Sequence, residues 1–407
     1  MTAAIARGTP AYRRLTLALL FAGFSTFSLL YSVQPLLPVL AREYRLSAEA
    51  ASLAVSLATG PLAIGILFAG VLSDRVGRRP LMVAAMTAAG ALTLATAVAP
   101  GWIALLALRL LTGVALAGVP AVAMAYVAEE VDAPSVGAAM GLYIGGSALG
   151  GMGGRLASSL VADVAGWRWA IAVVGVTGLA MAEAFRRLAP PSRNFVGVRG
   201  APDHGSGTGL ALFRDRALPL LYAEAFLLMG VFVTIYNYAG FRLLAPPYSL
   251  SQAAVGAVFL LYILGSASSA WFGSLAGRAG RRRVFWIPIL VLIAGVAATA
   301  GRPLWLVIAG IGVVTIGFFG AHSIASAWVG RRALANRGQA AAFYLFFYYL
   351  GSSVLGSAGG VAWTRAGWTG VAGFCLLLGA LALVIGVVLR TVPPLTPDTA
   401  SPAPVEA

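Results

Sequence analysis

Four stretches of this chain, residues 15–37, 80–99, 252–276 and 339–363, contain no charged side chain. About 20 mostly apolar residues are what a helix needs to cross the hydrocarbon of a bilayer. A water-soluble fold has no interior large enough to hide a succession of such runs, because much of any folded surface must face water. The runs are too long for lipid-facing strands and do not alternate at period two. Eight more of the same kind, near 50–72, 102–127, 136–161, 167–188, 217–241, 284–300, 304–329 and 368–389, bring the total to twelve. Only 10% of residues are charged and 60% are hydrophobic, where a soluble domain carries about 25% charged residues. The 50 glycines suit close helix–helix approach in lipid. Arg13 and Arg14 precede the first run as in a signal peptide. That run continues to about Leu37 with no polar region bearing a small-residue cleavage site, so it reads as a retained first span.

The charges set the orientation. There are 28 bases, all arginine, against 13 acids, a formal net charge of +15. In a soluble protein such a balance points to nucleic acid. Here the arginines lie between apolar spans, which points to cytoplasmic loops beside anionic lipid and to no nucleic-acid partner. With the N-terminus inside, 20 of the 28 arginines fall on inside segments and six on outside segments, while Arg109 and Arg155 lie within spans. The expectation is a multi-pass protein of the cytoplasmic (inner) membrane with both termini cytoplasmic. Cys375 is the single cysteine and His204 and His322 are far apart, so neither an internal disulfide nor a metal cluster is expected. A nucleotide-binding Gly-x-x-x-x-Gly-Lys-Ser/Thr loop is absent and no lysine exists to complete one. No polar catalytic cluster stands at an interface. The chain therefore reads as neither an ATP-driven pump by itself nor an enzyme, and no cofactor is expected.

The longest loop, 189–216, holds Pro190, Pro191 and Pro202 and reads as a flexible linker. It divides a six-helix bundle over 1–188 from a second over 217–390, with a tail over 391–407. An internal repeat supports the division. Gly70 to Arg79 reads GVLSDRVGRR and Gly273 to Arg282 reads GSLAGRAGRR, six matches in ten at an offset of 203. Tyr44, Leu46 and Ser47 recur as Tyr248, Leu250 and Ser251, and Ala165-Gly166-Trp167 recurs as Ala366-Gly367-Trp368. Six spans separate the copies, so the halves share one orientation and should relate by an axis along the membrane normal, as in a transporter that rocks about a central site. The fold class expected is an all-α membrane protein of twelve helices in two bundles with pseudo-twofold symmetry.

The Gly70–Arg79 segment resembles the loop-2–3 signature of the major facilitator superfamily, and its echo at 273–282 falls where that family places it. Within the family the chain resembles the twelve-helix drug:proton antiporter branch and its YnfM-like inner-membrane transporters. The stretches Gly145–Arg155, Gly320–Arg332 and Tyr344–Ser353 carry that resemblance. The family places the loop-2–3 aspartate, here Asp74, at the N-terminus of helix 11, where a negative charge is favoured. Gly70 and Gly77 permit a tight turn, and Arg75, Arg78 and Arg79 can meet Glu129, Glu130 and Asp132 at the end of span four. These ion pairs are expected to gate the cytoplasmic side by locking the outward-open state; the alternative is a plain turn with topology-setting arginines. Gly277 replaces the aspartate in the second copy, so the halves should lock with unequal strength.

In-membrane polar groups supply the other candidates. The run Arg109 to Gly113 resembles the family's span-four motif, whose arginine is linked to proton transfer. Thr112 stands where that motif has Gln, and the alternative for Arg109 is snorkelling to the interface. Glu224 lies about 10 Å deep along span seven, where a carboxylate is costly and usually functional; a structural hydrogen bond is the alternative. His322 in span ten completes the proton-coupling candidates, with a buried structural histidine as its alternative. Glu183 and Arg187 read as an interfacial i,i+4 pair. Gly145–Arg155 lies where antiporters of the family carry a glycine- and proline-rich span-five motif. The proline is missing, near Gly151. Gly150 and Gly154 are candidates for a bendable gating helix or for plain close packing, and Arg155 for an outer gate or an anchor. Tyr31, Gln34, Tyr236, Asn237, Tyr344 and Tyr348 are candidates for the central cavity, suiting an uncharged or amphipathic solute. The resulting expectation is a proton-coupled exporter of a small solute that works by alternating access as a monomer, with protons and membrane lipid as its other partners. A proton-coupled importer is the nearer alternative, and a non-transporting scaffold or sensor the more distant one.

Overall fold

A computed structural model describes residues 4–195, 212–333 and 336–393. Residues 196–211 of the expected linker and 394–407 of the expected tail lie outside the described residues. Among the described residues the chain is helical, with one isolated bridge between Ile5 and Val131. The helices are α1 (Pro10–Glu43), α2 (Ala48–Val76), α3 (Arg78–Ala97), α4 (Trp102–Glu130), α5 (Val136–Ala165), α6 (Trp167–Leu188), α7 (Leu218–Leu244), α8 (Gln252–Ala279), α9 (Arg281–Thr299) and α10 (Leu304–Arg332). The last segment, Arg337–Thr391, bends at Ala366 and Gly367, whose backbone is non-helical, and its two arms are α11 and α12. Twelve crossing segments result, longer at their ends than the apolar runs alone because helix continues into the polar flanks.

The breaks have local causes. α1 is helical to Tyr31, tightens into a 3₁₀ turn at Gln34–Leu36 and resumes at Leu37–Glu43. Pro35 and Pro38 cannot donate the backbone N–H that would carry the helix through. α4 breaks before Pro120 for the same reason. The tight turns that reverse the chain after α2 and α8 sit on Gly77 (φ 97°) and Gly280 (φ 90°), a conformation that a side chain rarely adopts. Ser47 and Ser251 cap α2 and α8, each accepting a backbone N–H at 3.1 Å, from Ala50 and Ala254.

The repeat is carried into the packed structure. A Cβ on Gly150 of α5 would stand 2.1 Å from the Phe24 carbonyl oxygen of α1, and one on Gly351 of α11 would stand 2.1 Å from that of Phe226 of α7. These are equivalent positions of the two halves, and in both the missing side chain lets two backbones touch. Gly146 and Gly154 extend the α1–α5 contact by one turn each way, against Leu20 and Ser28.

The halves meet along one seam. Every cross-half hydrogen bond among the described residues lies toward the face opposite the arginine-rich one. There Ser56 Oγ meets Ser357 Oγ at 2.7 Å, Ser353 Oγ donates to the Ser56 carbonyl at 2.9 Å, and Gln252 Nε2 donates to the Pro35 carbonyl at 2.7 Å. Asp163 Oδ1 at the end of α5 accepts the Gln252 N–H at the start of α8, at 2.9 Å. On the basic face the ion pairs among the described residues stay within one half. Among the described residues, the polar bonds that tie the halves together are therefore confined to one side.

Candidate functional site

Beneath the seal, on the axis between the halves, lies a cavity of about 160 Å³. α1 supplies Phe27 and Tyr31, and α5 supplies Ile144, Ser147, Ala148, Gly151 and Arg155; α7, α8, α10 and α11 supply Met229, Phe232, Tyr262, Ser269, Phe318, Phe319, His322 and Tyr348. Ile144, nearer the basic end of α5 than Arg155, is 62% exposed, so the cavity is not enclosed at that end. Its volume is below the ~300 Å³ at which pockets for drug-sized molecules begin, which fits a small solute.

The roof is polar and is built on symmetry. Gln34 and Asn237 stand 203 positions apart, the offset of the repeat, and Gln34 Nε2 donates to Asn237 Oδ1 at 2.7 Å. Equivalent residues of the two halves thus bond to each other across the axis. Arg155 Nε donates to Gln34 Oε1 at 2.6 Å, and its Nη1 to the Gly151 carbonyl at 2.6 Å. The guanidinium carbon lies 4.4 Å from the Tyr31 ring centroid and 5.2 Å from those of Phe259 and Tyr262, the geometry of cation–π contact. Tyr31 Oη is 3.4 Å from Ser352 Oγ of α11.

Of the six aromatic and amide candidates, Tyr31 and Tyr348 line the cavity while Gln34 and Asn237 close it. Tyr236 and Tyr344 lie one layer behind. Tyr236 bonds Thr315 at 2.8 Å and stacks on Phe259, and Tyr344 Oη lies 3.0 Å from His322 Nδ1. His322 faces the cavity between Phe318 and Tyr348. Arg155 is in the roof rather than at the membrane surface, so it touches both the seal and the solute space. Sequence reading passed over Phe27, Phe232, Tyr262, Phe318 and Phe319. On helices that are apolar all round, an aromatic facing the axis cannot be told from one facing lipid.

The remaining candidates lie off the cavity. Arg109 is fully buried and does not snorkel. Its Nε donates to the Ala54 carbonyl at 2.9 Å, its Nη1 to Leu29 at 3.0 Å and its Nη2 to Leu30. Those two α1 carbonyls lie just before the break at Tyr31, so Arg109 pins α1 to α2 and α4. Glu224 is fully buried, and neither carboxylate oxygen has a hydrogen-bond partner among the described residues. It faces Gly386 of α12, beside Phe285 and Ile289, and does not line the cavity.

On the basic face, Asp74 pairs with Arg78 at 2.6 Å and Glu129 pairs with Arg78 at 2.7 Å. Arg78 also donates to Ser73 Oγ. Glu130 Oε1 accepts the Asn194 N–H at 2.9 Å, and Arg79 Nη2 donates to the Arg186 carbonyl at 2.6 Å. Gly70 has open space where a Cβ would stand. In this conformation these contacts lie within the N-terminal half, apart from that of Glu130 with Asn194 at the start of the linker, and Arg75 is exposed at the end of α2. Glu183 bonds Arg187 at 2.5 Å, as its spacing suggested, and also Arg186 at 2.6 Å.

The sequence and the fold were compared with known proteins. The family model described as Major Facilitator Superfamily matches residues 19–268. The Inner membrane transport protein YnfM of Escherichia coli (strain K12) is 46% identical over 382 residues, 94% of this chain and 92% of its own length. The Uncharacterized MFS-type transporter YybF of Bacillus subtilis (strain 168) is 43% identical over 379 residues, 93% of this chain and 94% of its own. Among solved structures, the D-xylose-proton symporter superposes with a TM-score of 0.74 at 16% identity, covering 95% of this chain and 98% of that one.

Proposed function

Because the chain belongs to the major facilitator superfamily, and is thus a multi-pass membrane transporter rather than an enzyme, we propose that it exports a small solute in exchange for protons. It works by alternating access between two six-helix halves. Its basic face is cytoplasmic by the positive-inside rule, and both termini lie on that side. The seal then faces outward and the described state is open inward, the state in which an exporter loads.

The observation that carries this reading is the cavity on the pseudo-twofold axis, sealed on one side by bonds between the halves and not enclosed at the other. A site so placed can be offered to either side by rocking one half on the other. Proton coupling rests on two titratable groups. Glu224 is an unpartnered carboxylate in an apolar site, where a lone charge is costly to hold and a proton is the counter-charge that can come and go. His322 faces the solute and shares a hydrogen bond with Tyr344. Arg109 acts in coupling by holding the α1 break in position, and the Asp74–Arg78–Glu129 cluster re-forms as a latch when the cytoplasmic side closes.

The test is flux in proteoliposomes. A solute that stabilises the purified protein against heat is loaded, and a pH gradient is imposed. The gradient should drive flux, and Glu224→Gln should slow it while leaving thermal unfolding intact. Unchanged pH-driven flux in that variant removes Glu224 from the mechanism. Flux indifferent to the gradient in the unaltered protein removes proton coupling altogether.

A further inference from the structure

Buried arginines in this molecule are compensated, with one exception. Arg109 has three backbone carbonyls, Arg78 has two carboxylates, and Arg332 has Asp215 at 2.7 Å. Arg155 is 2% exposed and forms no ion pair among the described residues. It spends one N–H on the neutral amide of Gln34 and one on a carbonyl of its own helix, while Nη2 makes no hydrogen bond among the described residues. Aromatic faces partly offset the charge but cannot replace an anion. A buried cation without its counter-charge is expensive to hold in a membrane. This one lines a cavity of solute size in which no acidic residue stands.

We propose that the cavity binds an organic anion, with Arg155 as the residue that holds its carboxylate. A guanidinium fork matches a carboxylate in two-point geometry; Arg155 lines the solute space, and its Nη2 and the second hydrogen of Nη1 are not used by the bonds to Gln34 and Gly151. The rest of the lining, from Phe27 and Phe232 to Phe318 and Phe319, takes an apolar or aromatic body of about one ring. The solute is thus a small aromatic or aliphatic acid in its charged form, rather than the uncharged or amphipathic molecule that the aromatic residues alone suggest. Because Arg155 also holds Gln34, carboxylate binding and the outer seal share one side chain. This deepens the transport reading and rests on it, yet binding is measured without transport.

The probes are benzoate, cinnamate and indole-3-acetate, each against its neutral amide, with binding to the detergent-purified protein followed by calorimetry. At least one acid should bind roughly tenfold to a hundredfold more tightly than its amide, the range expected of a charge-assisted hydrogen bond. Arg155→Gln should erase that preference, and Arg155→Lys, which keeps the charge but loses the fork, should retain part of it. The acid-against-amide comparison needs no variant, so it stands if Arg155→Gln fails to fold. Equal binding of acid and amide, no binding by any acid, or a preference that survives Arg155→Gln overturns the proposal. Flux separates the two readings. Arg155-dependent binding with no flux in proteoliposomes sinks transport of these acids and spares the site, whereas flux of amides equal to that of acids sinks the anion site and spares transport.

Discussion

The bond between Gln34 and Asn237 ties the two halves at the axis, so its removal should let the outer face open more often. Asn237→Ala is the cleaner perturbation. Asn237 Nδ2 has no hydrogen-bond partner among the described residues, and so only the 2.7 Å bond to its Oδ1 is lost. Gln34 keeps its bond from Arg155. Hydrogen bonds between membrane helices average ~0.6 kcal/mol and reach ~1.7 kcal/mol, and the outward-open state is not expected to contain this one. The population of that state should rise by the corresponding Boltzmann factor, roughly threefold to twentyfold. A reporter is already placed. Ser159 is fully buried at the seam, where a Cβ on Gly256 would stand 2.2 Å from its Cβ. In a Cys375→Ala background, Ser159→Cys should be shielded from a polar maleimide until the seam parts. When opening is fast relative to labelling, the rate reports the open population. Asn237→Ala should raise the labelling rate of Cys at 159 by that factor in purified protein. An unchanged or slower rate would show that this contact does not hold the seal, and the assignment of the described state as the sealed one would lose its main support.

Three further outcomes follow from the same geometry. Asp163→Asn removes a charge from the N-terminus of α8 while keeping an acceptor for the Gln252 N–H; at ~0.3–1 kcal/mol for such a charge, it should speed labelling at position 159 by roughly twofold to fivefold. Gly150→Leu places side-chain atoms where the Phe24 carbonyl stands and should abolish folded yield on size-exclusion chromatography, whereas Gly145→Ala, with nothing within 4 Å of its Cβ position, should leave yield unchanged. Arg109→Ala removes three hydrogen bonds from a charged donor to helix carbonyls, at ~1.5–3 kcal/mol for a bond to a charged group, and should lower the thermal unfolding midpoint. Arg109→Lys should recover only part of the loss, because one ammonium cannot span carbonyls of two helices as a guanidinium does.

The fold was legible because the forces that set it write long, redundant signals. Twelve apolar runs, a 20-to-6 division of arginines and a repeat near offset 203 all point to the same arrangement. The site was legible only in part. Gln34 and Asn237 stood out as polar residues in apolar helices, and both are at the axis. Glu224 stood out for the same reason but faces α12, because polarity reveals that a residue needs a partner without revealing its direction. The spacing of Gly146, Gly150 and Gly154 fitted a bending helix or a close contact equally well. Only the position of α1 decides that a Cβ at each would strike it. Arg155 read as an outer gate or an anchor, since its depth along α5 was visible and the inward turn of α1 at Gln34–Leu36, which brings Gln34 to it, was not.

The positions at which the repeat fails are more informative than those at which it holds. Gly150 and Gly351, Gly77 and Gly280, and Ser47 and Ser251 match because each builds the same corner or contact in both halves. The arginines of the loop repeat match, Arg75 with Arg278, Arg78 with Arg281 and Arg79 with Arg282, but three other charges do not. At offset 201, Arg155 has Gly356 as its counterpart and Asp163 has Thr364; at offset 203, Asp74 has Gly277. Each of these charges sits on the N-terminal half, and the C-terminal half answers with glycine, a hydroxyl or the start of a helix. A symmetric cavity would present an axial anion with two like charges facing each other, which repel at close range in a medium of low polarity. One arginine opposed by aromatic rings avoids that repulsion and gives the solute a single orientation. The same asymmetry would make the two closures of the proposed cycle chemically distinct: Asp163 accepts the Gln252 N–H of α8 in the described state, and Asp74 lies on the opposite face, paired with Arg78. Exchanging the charge across the axis, by Arg155→Gly with Gly356→Arg, should therefore fail to restore acid binding even in a protein that folds, because position 356 meets Val233 and the Asn237 Nδ2 donor rather than the Gln34 and Gly151 oxygens that aim Arg155. Recovery of acid-over-amide preference in that double variant would show that the charge alone suffices and that the partners which aim it do not matter.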